Sequence, residues 1–214
     1  MRCGDKEVSG VWVREENNMK YPAIDIRNAE TDIITDSQGN EISSVLDYWK
    51  WAHSCLIDNA ERGAFAEYLV ACAIGGKGRG RVNWDKYDLV SEEGITVEVK
   101  TSAYLQAWGQ NALSTLRFGI AKTHGYNPAS NSYEPDMKRQ AQVYVFCVHA
   151  ETEQEKVNVL DTTQWKFYVL ASKVLDESKD YADANSIGLG PLLKLGAVEC
   201  GYEELHEVVK GQAK

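Results

Sequence analysis

The chain has 214 residues, of which 43% are hydrophobic, and its formal net charge is −9. This length is enough for one domain with a substantial core. It contains no apolar stretch long enough to cross a bilayer and begins with a polar segment, so we expect neither a membrane span nor a signal peptide. The five scattered cysteines form no Cys-x-x-Cys pair, which favours the reducing cytoplasm and argues against a structural zinc site.

The N-terminal part is mostly polar. Residues 1–40 are irregular in pattern, with one short apolar run at 11–13 that predicts a strand. Either Ser43 or Ser44 is suited to cap a helix that continues through residue 57.

A second helix is predicted over residues 59–74, with Asn59 as its N-cap and Gly75-Gly76 as its end. Glu67 lies in the middle of an otherwise small and apolar side of this helix. If that side faces the core, the carboxylate must be paired or bound to a metal. If it faces water, Glu67 is an ordinary surface residue, and the pattern alone does not decide between these two interpretations.

A glycine-rich basic run follows the second helix. It places Lys77, Arg79 and Arg81 within five residues of one another. Such a run is often only a solvated loop. Its position next to the acidic residues described below also suits a grip on a phosphate backbone.

The strongest chemical signal lies between residues 84 and 100. A strand is predicted over 84–90, with Asp88 near its end, and a second strand over 95–100 places Glu98 and Lys100 on its polar face. Two carboxylates beside an ammonium are suited to hold a divalent cation for phosphodiester chemistry. Without the metal, repulsion between the carboxylates should raise the pKa of one of them.

The rest of the chain predicts an α/β architecture with a central mixed sheet flanked by helices. Further strands are expected at 116–120, 143–148 and 165–170, and the apolar run 143–148 indicates a strand buried on both faces. Residues 123–136 are rich in turn formers and predict a long surface loop. Gln106 and Gln110 are four residues apart, which would put them on one face of a helix directed to the acidic residues.

The order of Glu67, Asp88 and Glu98-Val99-Lys100 resembles the PD-(D/E)xK nuclease superfamily, which has the restriction-endonuclease-like fold. Tyr87-Asp88 stands where that superfamily commonly has Pro-Asp. Residues 98–110 are also similar to a segment of uncharacterised bacterial proteins associated with restriction and defence.

This resemblance implies a site for Mg²⁺ or Mn²⁺ held by Asp88, Glu98 and the carbonyl of Val99. It implies catalytic roles for Lys100, Glu67 and Gln106. We therefore expect a single domain over residues 1–214, with a nuclease-like core at 60–150 and additions at both ends.

The function expected from these residues is metal-dependent cleavage of nucleic acid, with DNA favoured over RNA. The acidic charge supports a different hypothesis, a catalytically silent interaction module on the same fold that docks to a protein partner in a restriction or defence system. A hydrolase of small phosphate compounds is a third option. The sequence leaves a homodimer or a protein partner open, and the expected compartment is the cytoplasm.

Overall fold

A computed structural model describes residues 5–8, 11–14, 21, 24, 26–81, 85–127 and 131–214. The strands in this part of the chain are β1 (Asp5–Val8), β2 (Val11–Arg14), β3 (Ile33–Thr35), β4 (Glu41–Ser44), β5 (Leu89–Val90), β6 (Thr96–Ala103), β7 (Arg117–Gly119), β8 (Thr123–Asn127), β9 (Ser132–Lys138), β10 (Val143–His149), β11 (Trp165–Ala171), β12 (Ser186–Gly188) and β13 (Val198–Cys200). The α-helices are α1 (Val45–His53), α2 (Asn59–Ala73), α3 (Ser172–Glu177), α4 (Leu189–Lys194) and α5 (Leu205–Gln212), and short 3-10 turns lie at Gly76–Arg79, Gln154–Lys156 and Thr162–Gln164.

The central sheet has five strands in the order β13-β11-β10-β6-β5. β10 runs parallel to β6 and antiparallel to β11, so the sheet is mixed. All seven residues of β10 are buried, as its unbroken apolar run predicts. Helices accompany the sheet, which confirms the predicted α/β fold class.

Each face of the sheet carries its own hydrophobic cluster. One cluster is made by α2, α5 and the residues of the sheet that face them, including Ala66, Val70, Val97, Val99, Leu205 and Val209. The other is made by β7, α3, α4 and the opposite sheet face, including Phe118, Tyr144, Phe146, Leu175 and Leu192. β10 supplies residues to both clusters, and its parallel neighbour β6 packs Val97 and Val99 into the first cluster, which fixes the β6 backbone beside it.

The helix that carries Glu67 forms close to the predicted bounds. Its N-cap is Asp58 rather than Asn59, because the Asp58 carboxylate accepts the Ala60 N–H. The helix ends where Gly75 adopts a φ of 71°, a left-handed conformation that glycine takes without steric cost. The predicted glycine stop is therefore confirmed.

Several predicted elements differ from the structure. The strand expected over 84–90 is reduced to Leu89–Val90, and residues 82–84 lie outside the described part. The expected surface loop at 123–136 is the hairpin β8–β9, because Tyr126 and Tyr133 pair across it. The helix expected to run through residue 57 ends at His53. Its N-cap is Ser44, one of the two serines proposed.

The central sheet extends past the predicted nuclease-like core at 60–150, because it includes β11 and β13.

Within the described residues, no helix is both long and apolar enough to cross a lipid bilayer.

Two glycines of the α2 region give opposite predictions. A Cβ on Gly76 would lie 2.9 Å from the Val90 carbonyl oxygen, so either the turn or β5 would have to move. Gly63 is inside α2, and a Cβ there would meet nothing closer than Thr101 Cγ2 at 3.9 Å. We expect Gly76→Ala to destabilise the fold by about 1–3 kcal/mol. Gly63→Ala should stabilise it by up to about 1 kcal/mol, because alanine is the better helix former.

Urea unfolding followed by circular dichroism measures both changes. Both variants lose one glycine, so a difference between them reports the close contact of Gly76 with Val90 and not the loss of a glycine as such. Equal effects of the two substitutions would contradict the tight contact between the turn and β5.

Candidate active site

The alternation predicted for β6 is present. Val97 and Val99 are buried, whereas Glu98 and Lys100 are only partly covered and project from the other face. Their side chains are 20% and 33% exposed, and the Lys100 Nζ lies 2.5 Å from Glu98 Oε1. The carboxylate and the ammonium are therefore close neighbours at the edge of the hydrophobic clusters.

Asp88 reaches the same place because β5 begins only at Leu89, the next residue. The β5–β6 ladder pairs Leu89 with Val97 and goes no further toward Asp88. The next N–H on this side of β6, that of Val99, donates instead to Asp88 Oδ2 at 2.7 Å. Asp88 thus precedes its strand rather than closing it, and the carboxylate takes the place of the missing ladder partner.

The electrostatics confirm that these groups interact. Burial, and after it the charge of Glu98, raise the pKa of Asp88 to about 7, against the opposing effects of Lys100 and the Val99 N–H. Burial alone would lower the pKa of Lys100, but its contacts with Glu98 and the nearby Asp88 outweigh burial and raise it. Lys100 is therefore a cation at neutral pH, and the predicted raised carboxylate pKa is found at Asp88.

Glu67 lies beside this group and is paired. Its side chain is 14% exposed, and its carboxylate accepts two hydrogen bonds from Arg81, from Nε at 2.6 Å and from Nη2 at 3.0 Å. This two-point contact raises the pKa of the Arg81 guanidinium, although burial opposes the shift. Of the two interpretations that the sequence left open, the structure supports a covered and paired carboxylate.

The residues of the basic run differ in their surroundings. Arg81 holds Glu67, so its guanidinium is engaged next to Asp88 rather than directed freely outward. Lys77 is exposed on the 3-10 turn, and the side chain of Arg79 lies outside the described part. A pocket of about 300 Å³ between α2 and this turn is lined by both Glu67 and Arg81. Whether the run binds nucleic acid stays a prediction.

Gln106 occupies a different place from the one expected. Residues 104–115 form no helix, so the predicted shared helical face with Gln110 is wrong. The Gln106 amide accepts from Arg62 Nη1 at 3.1 Å and donates to the Ala103 carbonyl and the Ser114 hydroxyl. These contacts fix the loop that follows β6.

Arg62 is a residue that the sequence reading missed. Only 1% of it is exposed, and besides Gln106 it donates to the Ile57 carbonyl at 3.0 Å and to Asn59 Oδ1 at 2.6 Å. Burial lowers its pKa, with the charge of Asp58 opposing. The available signal was an arginine next to Gly63 within an apolar helix, a position that demands buried partners.

Comparison with known proteins addresses the function of this arrangement. A family model of bacteriophage T4 endonuclease IV matches residues 12–187. The chain belongs to the bacteriophage T4 endonuclease IV family. No curated protein matches the sequence. The endonuclease IV match includes Glu67, Asp88, Glu98 and Lys100 and supports a nuclease that acts on DNA.

The residues of this endonuclease IV family member suit a cation only in a limited way. Among the described residues, no group of three or more His, Cys, Asp and Glu side chains is arranged to hold a metal ion. Asp88 and Glu98 form a two-carboxylate set, because Asp88 accepts from the N–H of Val99, the residue that follows Glu98 in β6, and the charge of Glu98 contributes to the raised pKa of Asp88. Mg²⁺ is commonly held by one or two carboxylates, with water filling its other positions, so this set fits that ion.

The raised pKa of Asp88 predicts how stability depends on pH in EDTA. The folded protein holds the Asp88 proton up to a pH of about 7, whereas the unfolded chain releases it near the ordinary value of 3.8. Between these two pH values the unfolded chain has lost the proton and the folded protein still holds it. The free energy of unfolding therefore falls as pH rises through this range.

Asp88→Asn should remove that part of the pH dependence while keeping an oxygen that accepts the Val99 N–H. The variant should gain stability relative to wild type as pH rises from about 4 to about 7, with a constant difference above that range. Urea unfolding across the pH series measures the difference. A difference that does not change with pH would contradict the raised pKa.

Proposed function

We propose that this chain is a metal-dependent endonuclease of the PD-(D/E)xK type that cuts DNA. The observation that carries the proposal is the meeting of Asp88, Glu98 and Lys100 in one partly covered cluster fixed by the Val99 N–H. Membership of the endonuclease IV family supports cleavage of a phosphodiester bond. The PD-(D/E)xK assignment itself rests on the order and the chemistry of these residues.

Asp88 and Glu98 would hold Mg²⁺ or Mn²⁺, with the Val99 carbonyl as an additional oxygen ligand. The ion would supply Lewis-acid stabilisation of the phosphate and acidify a bound water. The Val99 N–H orients Asp88, because it binds one carboxylate oxygen and leaves the other available. The backbone of β6 thereby controls the direction of the Asp88 carboxylate as well as that of Glu98.

Lys100 provides a positively charged side chain, its ammonium group, next to the reacting phosphate. In the structure its ammonium donates to Glu98, and its raised pKa keeps it charged at neutral pH. A charge of this kind either positions the attacking water or stabilises the negative charge that develops on the phosphate oxygens. Glu67 acts from the neighbouring helix, and its pairing with Arg81 sets the direction of its carboxylate.

The substrate must also approach an acidic protein. Lys77, Arg79 and Arg81 are the basic residues proposed to grip the phosphate backbone. Arg81 is paired with Glu67, so it would have to leave that carboxylate before its guanidinium could bind a phosphate. Lys77 is exposed and needs no such rearrangement.

The alternative of a silent interaction module is less well supported. A module of that kind has no need for an ammonium and two carboxylates grouped in one place, because the burial and the charge repulsion that raise the Asp88 pKa are costly. The same cluster is useful if it receives a cation. Family membership points in the same direction.

Lys100→Ala tests the nuclease directly. It should reduce cleavage of DNA by about 10²–10³-fold, the scale expected when one charge-stabilising group is lost. Lys122→Ala is a matched control, because the Lys122 side chain is 31% exposed, close to the value for Lys100, and is likewise ion-paired, in its case with Asp183. That variant should cut at the wild-type rate.

Cleavage would be measured on plasmid, single-stranded DNA and RNA with Mg²⁺, with Mn²⁺ and with EDTA. We expect activity only with a divalent cation and on DNA. If Lys100→Ala cuts as fast as wild type, the nuclease site lies elsewhere. If wild type cuts none of these substrates with either ion, the interaction module becomes the better account.

A further inference from the structure

A second pocket, of about 630 Å³, lies beyond the end of β6. Its walls come mainly from the loop at 105–113, and they include Gln106, Trp108, Gln110, Asn111, Leu113 and Gln154. The volume lies within the range of pockets that hold small organic ligands. None of the described residues that line the pocket is charged.

The loop is built to keep a fixed shape. The Gln110 amide accepts from the Gln106 N–H at 2.7 Å and donates to the Tyr104 carbonyl and the Ser114 hydroxyl. Gln106 is in turn tied to the buried Arg62. The two glutamines thus use their amides to hold the loop, and the pocket is preformed.

Other lining side chains are left available. Trp108 lines the pocket and is 56% exposed, so much of its ring is accessible there. Within the described residues, the amide groups of Asn111 and Gln154 have no hydrogen-bond partner, and both side chains lie at the surface of the pocket. An aromatic ring together with amide donors and acceptors is the chemistry that proteins use to stack on a nucleobase and to bond its edge.

Because the described lining carries no charge, it suits a base of a nucleic acid better than a phosphate. A phosphate would need cationic or N–H-rich partners. Among the described residues next to the lining, Arg62 is buried and engaged with Gln106, Ile57 and Asn59, and Lys156 is paired with Glu153. A nucleobase is neutral and planar and needs no such partner.

The position of the pocket ties it to the proposed active site. The Gln106 amide donates to the carbonyl of Ala103, the last residue of the strand that carries Lys100. Ala103 is three residues from Lys100, a distance of roughly 10 Å along a strand. The pocket thus begins past the end of the strand that carries Lys100, on the side of the chain where β6 leaves the sheet.

We propose that this pocket binds one nucleobase next to the scissile phosphate, with Trp108 stacking on the base and Asn111 bonding its edge. A base inside a duplex cannot be enclosed in this way, so the bound base is unpaired or has left the helical stack. This inference rests on the proposed nuclease function, because the reacting phosphate fixes which base reaches the pocket.

The test uses two fluorescently labelled oligonucleotides of equal length, with Ca²⁺ in place of Mg²⁺ to limit cleavage. One is single-stranded DNA containing all four bases, and the other carries abasic sites throughout. Fluorescence anisotropy gives the affinity of the full-length protein for each. Trp108→Ala should weaken binding of the base-containing DNA by about ten-fold and leave the abasic DNA unaffected.

Trp51→Ala is the matched control, because Trp51 is 86% exposed, lies on α1 and is not among the residues that line the pocket. It should bind both oligonucleotides as wild type does. The loss caused by Trp108→Ala should not change with salt concentration, because no phosphate contact is removed. Asn111→Ala should change the relative affinities for homopolymers of A, C and T, since it alters a bond to the base edge.

Three outcomes would overturn the proposal: unchanged affinity of Trp108→Ala for the base-containing DNA, an equal loss on the abasic DNA, or an equal loss in Trp51→Ala. The binding assay is also independent of cleavage. A protein that cuts DNA while Trp108→Ala binds normally would refute the base pocket alone. One that binds bases through Trp108 but cuts nothing would refute the nuclease and leave the pocket in place.

Discussion

The hydrogen bond from the Val99 N–H to the Asp88 carboxylate is the contact on which the whole site depends. A sheet strand needs partners for its backbone groups, and β5 supplies them to β6 over only two residues. Asp88 supplies the next one with a side chain. The constraint that completes the edge of the sheet therefore also brings a carboxylate next to Glu98 and Lys100.

The charges around this bond are nearly balanced, and their balance is significant for an acidic protein. Asp88, Glu98 and Glu67 provide three carboxylates, while Lys100 and Arg81 provide two cations, and the interactions among them shift the pKa values of Asp88, Lys100 and Arg81. The side chains of the cluster thus sum to a negative or nearly neutral charge. A bound divalent cation would make this sum positive and would increase the attraction for a phosphate. A protein with a net charge of −9 can in this way act on DNA without a basic surface.

The sequence was most informative where local pattern and tertiary structure agree. The alternation in β6, the continuous apolar run of β10 and the glycine stop of α2 all have local causes, so their prediction was accurate. Turn-forming residues at 123–136 suggested a loop, but aromatic pairing across the two strands stabilises a hairpin there. The expected helix after β6 is likewise absent, because side-chain amides rather than a helical ladder satisfy the backbone of that loop.

Long-range partners set the limit of prediction for the site. That Glu67 lies on the helix and Arg81 on the basic run is clear from the sequence, but their pairing spans fourteen residues and depends on how the turn folds back onto α2. The bond between Arg62 and Gln106 joins residues 44 apart and could not be foreseen. The helix or loop that carries each of these side chains can be predicted from the sequence, but the partner that fixes its orientation cannot.

The claim that Asp88 and Glu98 form a cation site is tested most directly by titrating Mn²⁺ into the purified protein in a calorimeter. Wild type should bind the ion, and Asp88→Ala should not. Asp183→Ala removes an ion-paired carboxylate that is 88% exposed and lies outside the cluster, so it should bind as wild type does. If Asp88→Ala bound Mn²⁺ with the affinity of wild type, the cluster would not be a metal site and the proposed mechanism would be wrong.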